Sequence, residues 1–500
     1  MSMARCTLDQ YERECAGRHR LHDVVDYWAA RKPDAIALSS PGIGRRLTWR
    51  ELACESEAMA RWLIAQGFAP GHFLAASMPF SLEHVLLEYA CFRAGVIHVP
   101  LDLRLPPADV ERAITAVGAK ALFGQADAER CRADARTATA PLPDVSEFDG
   151  AQVIFTTGST GAPKPALLSH RNITCQNLCL GAAFDFDGDS AMLVNLPPSH
   201  VGGQAEQLLT TLFHGGRAVL IEAFDAARSL AAIESDRVTI VGQIPAMFHL
   251  EWRLSGFASY DLSSLRFAIY GGQSVPDAFL ERLSQMAPHS GTGLGLTEAA
   301  GFCTYVKSEG KVEGVGVDMP VYPMTIRGAM RDDGAAGEEL EEGEVGHVCF
   351  RGPQTFLGYV NHPEATAQAV STDGWLYTGD MGRRDALGLR LSGRSRWVIK
   401  PAGFQVFPGE VEDFVARHEK VLACGVVGVH HEVFSEAIVA FVEAKPGTDL
   451  TIGELSRHAR GMASYMRPGK WVILPPGGLP LNRVAKTDYL RLQELAKEGR

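Results

Sequence analysis

Residues 155–165 read FTTGSTGAPKP. Six of the nine residues after Phe155 are Thr, Ser or Gly, and Lys164 closes the run. Glycines let a backbone turn several N–H groups toward one anion, and hydroxyls add further donors. With a fixed lysine charge, such a loop suits the phosphates of a nucleotide. A flexible turn without a ligand would have the same composition. The loop is not GxxxxGK[ST]: counted from Gly158, Pro163 stands at the second glycine and Pro165 at the Ser/Thr. Gly291-Thr292-Gly293 fails as a dinucleotide fingerprint, because Leu296 occupies the third glycine position.

The elements that would position the loop alternate in type. Leu82 to Ala94 has apolar residues at helical spacing and stops at Gly95, a C-cap residue. Strands are predicted over Val96–Leu101, Val153–Phe155, Arg217–Glu222, Arg237–Val241, Leu265–Tyr270 and Gly346–Arg351, and Ser169 is placed to cap a helix. This alternation predicts α/β layers with parallel sheets. The run RDDGAAGEELEEGE at 331–344 reads as an acidic surface loop.

The chain has 500 residues, 46% of them hydrophobic, which is too long for one core and too apolar for disorder. Its net charge of −11 argues against nucleic acid as the main partner. The ten cysteines form no CxxC pair and read as reduced thiols of a cytoplasmic protein. No apolar signal core and no membrane-spanning run is found.

The 155–165 loop resembles the signature [FY]TSGSTGxPKG of the adenylate-forming (ANL) superfamily, which includes acyl-CoA synthetases, adenylation domains of peptide synthetases and beetle luciferases. Further segments resemble that family in order and spacing: Asn195 to His200 (LPxxH), Ala268 to Gln273, Gly295 to Glu298 (GxTE), Gly358 to Thr366 (GYxNxPEAT), Gly374 to Asp380 (GWxxTGD), Gly393-Arg394, Ile399 to Glu412 (IKxxGxxVxPxEVE) and Pro480 to Lys486 (PxxxxGK). The resemblance covers nearly the whole chain. It implies a large N-terminal domain with mixed β-sheets flanked by helices over 1–394, a hinge at 395–397 centred on Arg396, and a small mobile α+β domain over 398–500.

The resemblance also implies an ATP-dependent ligase. An acid attacks the α-phosphorus of ATP, pyrophosphate leaves, and a thiol then takes the acyl group from AMP. That chemistry gathers charge on phosphoryl oxygens and calls for fixed cations and donors. Thr156, Thr157, Gly158, Ser159, Thr160, Gly161 and Lys164 would line the ATP phosphates. Thr297 would bind the α-phosphate, and Glu298 would hold Mg²⁺. Gly271, Gly272 and Gln273 would line the adenine with Leu294, while Asp380 and Arg394 would take the ribose. Lys486 would be the catalytic cation, exchanged at the hinge for the Lys400–Gly403 loop in the thioester step. By motif position His200, Gly203, Gln204 and Gln243, with Leu294, are candidates for the acyl pocket.

Some residues depart from the family pattern. Pro165 replaces a glycine, Thr157 a serine and Ala485 a glycine. Leu294 stands where an aromatic often stacks on adenine, and Trp397 follows the hinge where a polar residue is usual. The segment Val406 to Glu412 is closer to acyl-CoA synthetases than to peptide-synthetase domains, and about fourteen residues follow Lys486 with no carrier domain among them. Coenzyme A is therefore the expected acceptor of a small carboxylic acid. The alternatives are a free-standing enzyme that loads a carrier protein or activates another oxyanion, and a non-catalytic nucleotide-binding protein on the same fold.

Overall fold

A computed structural model describes residues 8–156, 163–272, 275–308, 314–433, 435–481 and 487–498. The chain packs as two compact units. One comprises Met1–Met324 with Phe350–Leu376, the other Thr325–Cys349 with Tyr377–Arg500. Compactness groups residues by packing, whereas a hinge is a point of rotation, and the two need not coincide.

The first unit holds two large mixed sheets. The nine-stranded sheet has six parallel strands at its centre, in the order His289–Thr292, Phe267–Tyr270, Ile240–Gln243, Ala191–Val194, Arg217–Leu220 and Ile36–Ser40. Antiparallel strands close both edges. Ala191–Val194, Ile240–Gln243 and Phe267–Tyr270 are buried at every position, as expected of parallel strands covered on both faces. Leu193, Val241 and Ala268 share one core with Leu230 and Phe248 from the covering helices. The predicted strand at Arg237 begins instead at Ile240, because Arg237 adopts a left-handed conformation (φ 48°) that ends the preceding helix.

The six-stranded sheet runs Gly358–Tyr359, Pro165–Ser169, Gly150–Phe155, Ile97–Pro100, Phe73–Ala76 and Ala121–Phe123. Gly150–Phe155 and Pro165–Ser169 form the antiparallel hairpin that flanks the Gly/Thr/Ser loop, with Phe155 opposite Pro165. Proline is tolerated there because it opens the strand. Ser169 does cap the next helix, accepting from the Asn172 N–H. Helix Leu82–Ala94 begins at the Ser81 cap and ends at Gly95 with φ 65°. All thirteen of its residues are buried, so it is a core helix rather than an amphipathic one.

The second unit contains a four-stranded sheet and a three-stranded sheet. The latter, Val421–His431, Ser435–Ala444 and Lys470–Leu474, packs with helices Pro408–Ala416, Ile452–His458 and Tyr489–Lys497. The α/β class and the pairing of a large mixed-sheet portion with a smaller α+β portion agree with the sequence reading. Among the described residues, no helix is long and apolar enough to cross a membrane.

Candidate active site

In the first unit, three segments distant in sequence place Lys164, Glu298 and Tyr359 together. Lys164 and Thr156 clasp the mouth of the phosphate loop: the Thr156 N–H donates to the Lys164 carbonyl (2.9 Å) and the Lys164 N–H to Thr156 Oγ1 (3.3 Å). Thr157, Gly158, Ser159, Thr160 and Gly161 lie outside the described residues. Lys164 Nζ sits 5.2 Å from the centroid of the Tyr359 ring, a cation–π distance. The Tyr359 hydroxyl donates to Glu298 Oε1 at 2.5 Å. Burial, and then the Glu298 charge, push the Tyr359 phenol up, so it stays a donor at neutral pH.

Glu298 occupies the single turn Thr297–Ala299, between the two strands of the ribbon Gly295–Leu296 and Gly301–Phe302. The turn closes with the Ala300 N–H on the Thr297 carbonyl (3.0 Å), and Ala300 takes a left-handed φ of 57°. A non-glycine residue in that conformation costs about 1 kcal/mol. The Glu298 carbonyl accepts from the Phe356 N–H (2.9 Å), which ties the turn to the segment carrying Tyr359. Among the described residues Glu298 has no ion-pair partner. A half-buried carboxylate with one oxygen fixed by a phenol and no competing cation fits a hard divalent ion such as Mg²⁺.

The adenine candidates flank strand ends. Gly271 donates to the Gln243 carbonyl (3.3 Å), and Gly272 has φ 91°, a backbone that favours glycine. Gln273 lies outside the described residues. Leu294 is held through its backbone, donating to Thr304 Oγ1 (2.9 Å) and accepting from the Cys303 N–H (2.7 Å).

The four acyl-pocket candidates do not share one environment. His200 is exposed, and its Nδ1 accepts from the Gly202 N–H (3.0 Å). Gly203 is packed against backbone: a Cβ there would lie 2.4 Å from the Pro197 carbonyl oxygen. Gln204 is fully buried with its amide 3.2 Å from His84 Nε2. Gln243 is buried between Asn195 (2.6 Å) and Glu251 (3.0 Å), so both ends of its amide are taken up inside the core. Burial pushes Glu251 up to about 7.

Two residues of this region were not singled out by the sequence reading. Tyr359 lay inside a quoted motif, but its role arises from the pairing of Gly358–Tyr359 with Leu167 and Ala166. Glu206 sits in the irregular helix Gly202–Leu209. A Cβ on Gly202 would be 3.1 Å from His200 Nδ1 and 3.5 Å from Glu206 Oε2, and one on Gly301 would be 2.9 Å from Glu206 Oε1. Burial raises the Glu206 carboxyl to about 8. Its signal in the sequence was a lone acid in an otherwise uncharged stretch.

In the second unit, Asp380 and Arg394 face each other across the antiparallel pair Leu376–Asp385 and Gly388–Arg394. Arg394 Nε lies 2.8 Å from Asp380 Oδ1, and its Nη1 donates to the Thr378 carbonyl (3.1 Å). Arg396 stacks over Trp397 (4.5 Å), and Trp397 in turn stacks on Tyr489 (5.3 Å, 29°), which gives the unusual tryptophan a packing partner. The Tyr489 hydroxyl donates to Glu412, which also accepts from the Val426 N–H. Lys400 is exposed, with its N–H on Glu436 Oε2 (2.5 Å). In the turn Pro401–Gly403 the left-handed residue is Ala402 (φ 49°) rather than Gly403. Lys486 lies outside the described residues; Leu481 and Thr487 on either side form a β-bridge.

Residues 25–360 match the model of the AMP-binding enzyme family, and residues 410–486 match the AMP-binding enzyme C-terminal domain. A feruloyl-CoA synthase of Amycolatopsis sp is 31% identical over 468 residues, covering 88% of this chain and 93% of the relative. An indoleacetate–CoA ligase of Aromatoleum aromaticum is 29% identical, covering 94% and 98%. ATP-bound MatB from Rhodopseudomonas palustris shares the fold with a TM-score of 0.81 at 24% identity, over 93% of this chain and 96% of that one.

Proposed function

The chain belongs to the AMP-binding enzyme family, and from that membership we propose that it is an ATP-dependent acid–coenzyme A ligase acting in two half-reactions. In the first, a carboxylate oxygen of the acid attacks the α-phosphorus, the bond to the bridging oxygen breaks, and pyrophosphate leaves. In the second, the thiol sulfur of coenzyme A attacks the acyl carbonyl, its proton is released, and AMP leaves.

The observation that carries this reading is the Lys164–Tyr359–Glu298 constellation beside the phosphate loop. Lys164 would meet the β- and γ-phosphates with a cation that the Tyr359 ring steadies. Glu298 would hold Mg²⁺, oriented by the Tyr359 hydroxyl. When bound with the nucleotide, the metal supplies fixed positive charge against the phosphoryl oxygens. Thr297, in the same turn, would donate its hydroxyl to the α-phosphate. Asp380, with Arg394 alongside, would accept the ribose hydroxyls, since a carboxylate can take two parallel O–H donors. Lys486 would place its charge between the attacking carboxylate and the α-phosphate. The Arg396 hinge would exchange it for the Lys400–Gly403 loop in the second step.

Ring-bearing acids lead the choice of substrate, because ferulate and indoleacetate are named for two of the relatives. His200 and Glu206, which face one point above Gly202, would meet the distal end of such an acid.

The test incubates the purified chain with ATP, Mg²⁺ and a panel of aromatic, alicyclic and aliphatic acids. Pyrophosphate release is expected with at least one acid, and AMP plus a thioester once coenzyme A is added. Nucleotide binding without pyrophosphate across the panel would overturn the enzymatic reading. A thioester formed only on a carrier protein would overturn the acceptor. Lys486→Ala is expected to stop adenylation while thioester formation from supplied acyl-AMP survives. Equal loss of both steps would remove the alternation of lysine and loop.

A further inference from the structure

Helix Leu82–Ala94 carries four ionisable polar side chains, Glu83, His84, Glu88 and Arg93, into the core, and two of them are matched by ion pairs. Glu83 is held by Arg45 (2.9 Å) and Arg132 (2.6 Å), and Arg93 by Asp26 (2.5 Å). The remaining pair, His84 and Glu88, stand one turn apart on one face. They meet His98 of strand Ile97–Pro100, and all three are 0% exposed. One nitrogen or oxygen from each lies within 4.8 Å of the others. The two imidazoles meet edge to face with centroids 5.2 Å apart. His98 Nδ1 is 3.8 Å from Glu88 Oε1, too far for a hydrogen bond.

Two buried amides complete the cluster. Gln152 Nε2 donates to Glu88 Oε1 (2.9 Å), and Gln204 Nε2 lies 3.2 Å from His84 Nε2. Among the described residues, both nitrogens of His98, Glu88 Oε2, Gln152 Oε1 and Gln204 Oε1 have no hydrogen-bond partner. Unmatched buried polar atoms each cost about 1–3 kcal/mol, and native interiors contain few of them. Proton transfer does not match them. His98 Nδ1 and Glu88 Oε1, at 3.8 Å, stand too far apart to share one.

We propose that His84, Glu88 and His98 bind a zinc ion in the core of the large unit, with the Gln204 amide oxygen as fourth ligand. Two imidazoles, a carboxylate and a carbonyl-type oxygen form a mixed N/O set that zinc accepts in a closed tetrahedral site. Zinc–ligand bonds of about 2.0–2.1 Å put neighbouring ligands about 3.4 Å apart. The oxygen and nitrogen of an amide exchange places on a half-turn. That turn puts Gln204 Oε1 where Nε2 now stands, 3.2 Å from His84 Nε2 and close to the ligand spacing. Gln152 then acts behind the ligands, orienting Glu88 through its N–H. The ion ties helix Leu82–Ala94, strand Ile97–Pro100 and helix Gly202–Leu209 together. Its role is structural, and no part of the ATP chemistry is required for it.

The full chain, free of any affinity tag, is purified and its zinc content measured. About one zinc per chain is expected to survive gel filtration in metal-free buffer. After stripping with a chelator, added Co²⁺ should give the intense visible absorption of a tetrahedral site, and added Zn²⁺ should raise the melting temperature by several degrees. His98→Phe and Glu88→Gln should each lose the cobalt band and weaken zinc binding at least 100-fold. Zinc well below one equivalent, with no thermal response to added Zn²⁺, overturns the site in favour of a water-bridged polar cluster. A cobalt band retained in either variant also overturns it, since the metal then sits elsewhere. Should His98→Phe fail to fold, Glu88→Gln and the wild-type titrations still decide.

Discussion

Glu298 and Asp380 are carboxylates drawn from the two compact units, and they differ in what already touches them. Asp380 is 7% exposed and carries an arginine at 2.8 Å, so its charge is largely offset before any ligand arrives. Glu298 has only the neutral Tyr359 hydroxyl on one oxygen, and no cation among the described residues. A carboxylate already offset by an arginine suits hydroxyl donors. One that keeps its charge suits a metal ion. The two roles proposed for these carboxylates rest on that difference.

The largest expected effect tests the uncompensated member. Glu298→Gln should slow pyrophosphate release by about 10²- to 10³-fold. The loss should be partly recovered at high Mg²⁺, read by titrating the metal at fixed ATP. A loss that Mg²⁺ does not move would make the two carboxylates alike. Asp380→Ala comes next, at about 10²-fold in kcat/KM for ATP, from two charge-assisted hydrogen bonds. Its Mg²⁺ dependence should stay that of the wild type, which separates it from Glu298. Tyr359→Phe removes one hydrogen bond and keeps the ring beside Lys164. It should cost about tenfold in rate and raise the Mg²⁺ requirement. An unchanged Mg²⁺ requirement would mean that the phenol does not orient Glu298.

Much of this arrangement was readable as motif and little as geometry. Ser169 and Gly95 gave true helix boundaries because capping is decided by a residue and its immediate neighbours. The strand entering the phosphate loop followed from an apolar run ending at a Gly/Thr/Ser cluster, whereas its hairpin partner Pro165–Ser169 was not predicted. Tyr359 was not recognisable, since a two-residue strand acquires its position only from the strand it joins. The apolar spacing of Leu82–Ala94 marked a helix but could not tell one buried face from burial all round, which is what brings His84, Glu88 and His98 together. Gln204 and Gln243 were chosen by motif position. Their hydrogen bonds to His84, Asn195 and Glu251 reach partners 120, 48 and 8 residues away, which motif position does not reveal.

The smallest effect uses a carboxylate with donors, no arginine partner among the described residues and no proposed part in nucleotide binding. Glu412 accepts from Val426 and Tyr489, and burial raises it to about 7. An acid with a raised folded pKa stabilises the fold most below its unfolded value near 4.5. That contribution is lost as pH climbs through 7, because the unfolded chain releases the proton first. Wild type should therefore lose about 2 kcal/mol more than Glu412→Gln between pH 4.5 and 7.5 in urea unfolding. Parallel profiles for the two proteins would mean that Glu412 ionises as readily in the fold as outside it. Activity measured at 25 °C should stay close to wild type.

Gly203 carries a consequence for anyone redesigning the enzyme toward a new acid. A methyl group there would stand 2.4 Å from one carbonyl oxygen and 2.9 Å from another, with the Phe80 ring at 3.1 Å. Neither oxygen belongs to a side chain that could swing away. A saturation library at this position should therefore return glycine alone, whatever substrate is selected for. Diversity aimed at the proposed acid site would enter instead at His200 and Glu206, which meet the space above Gly202 with side chains rather than main chain.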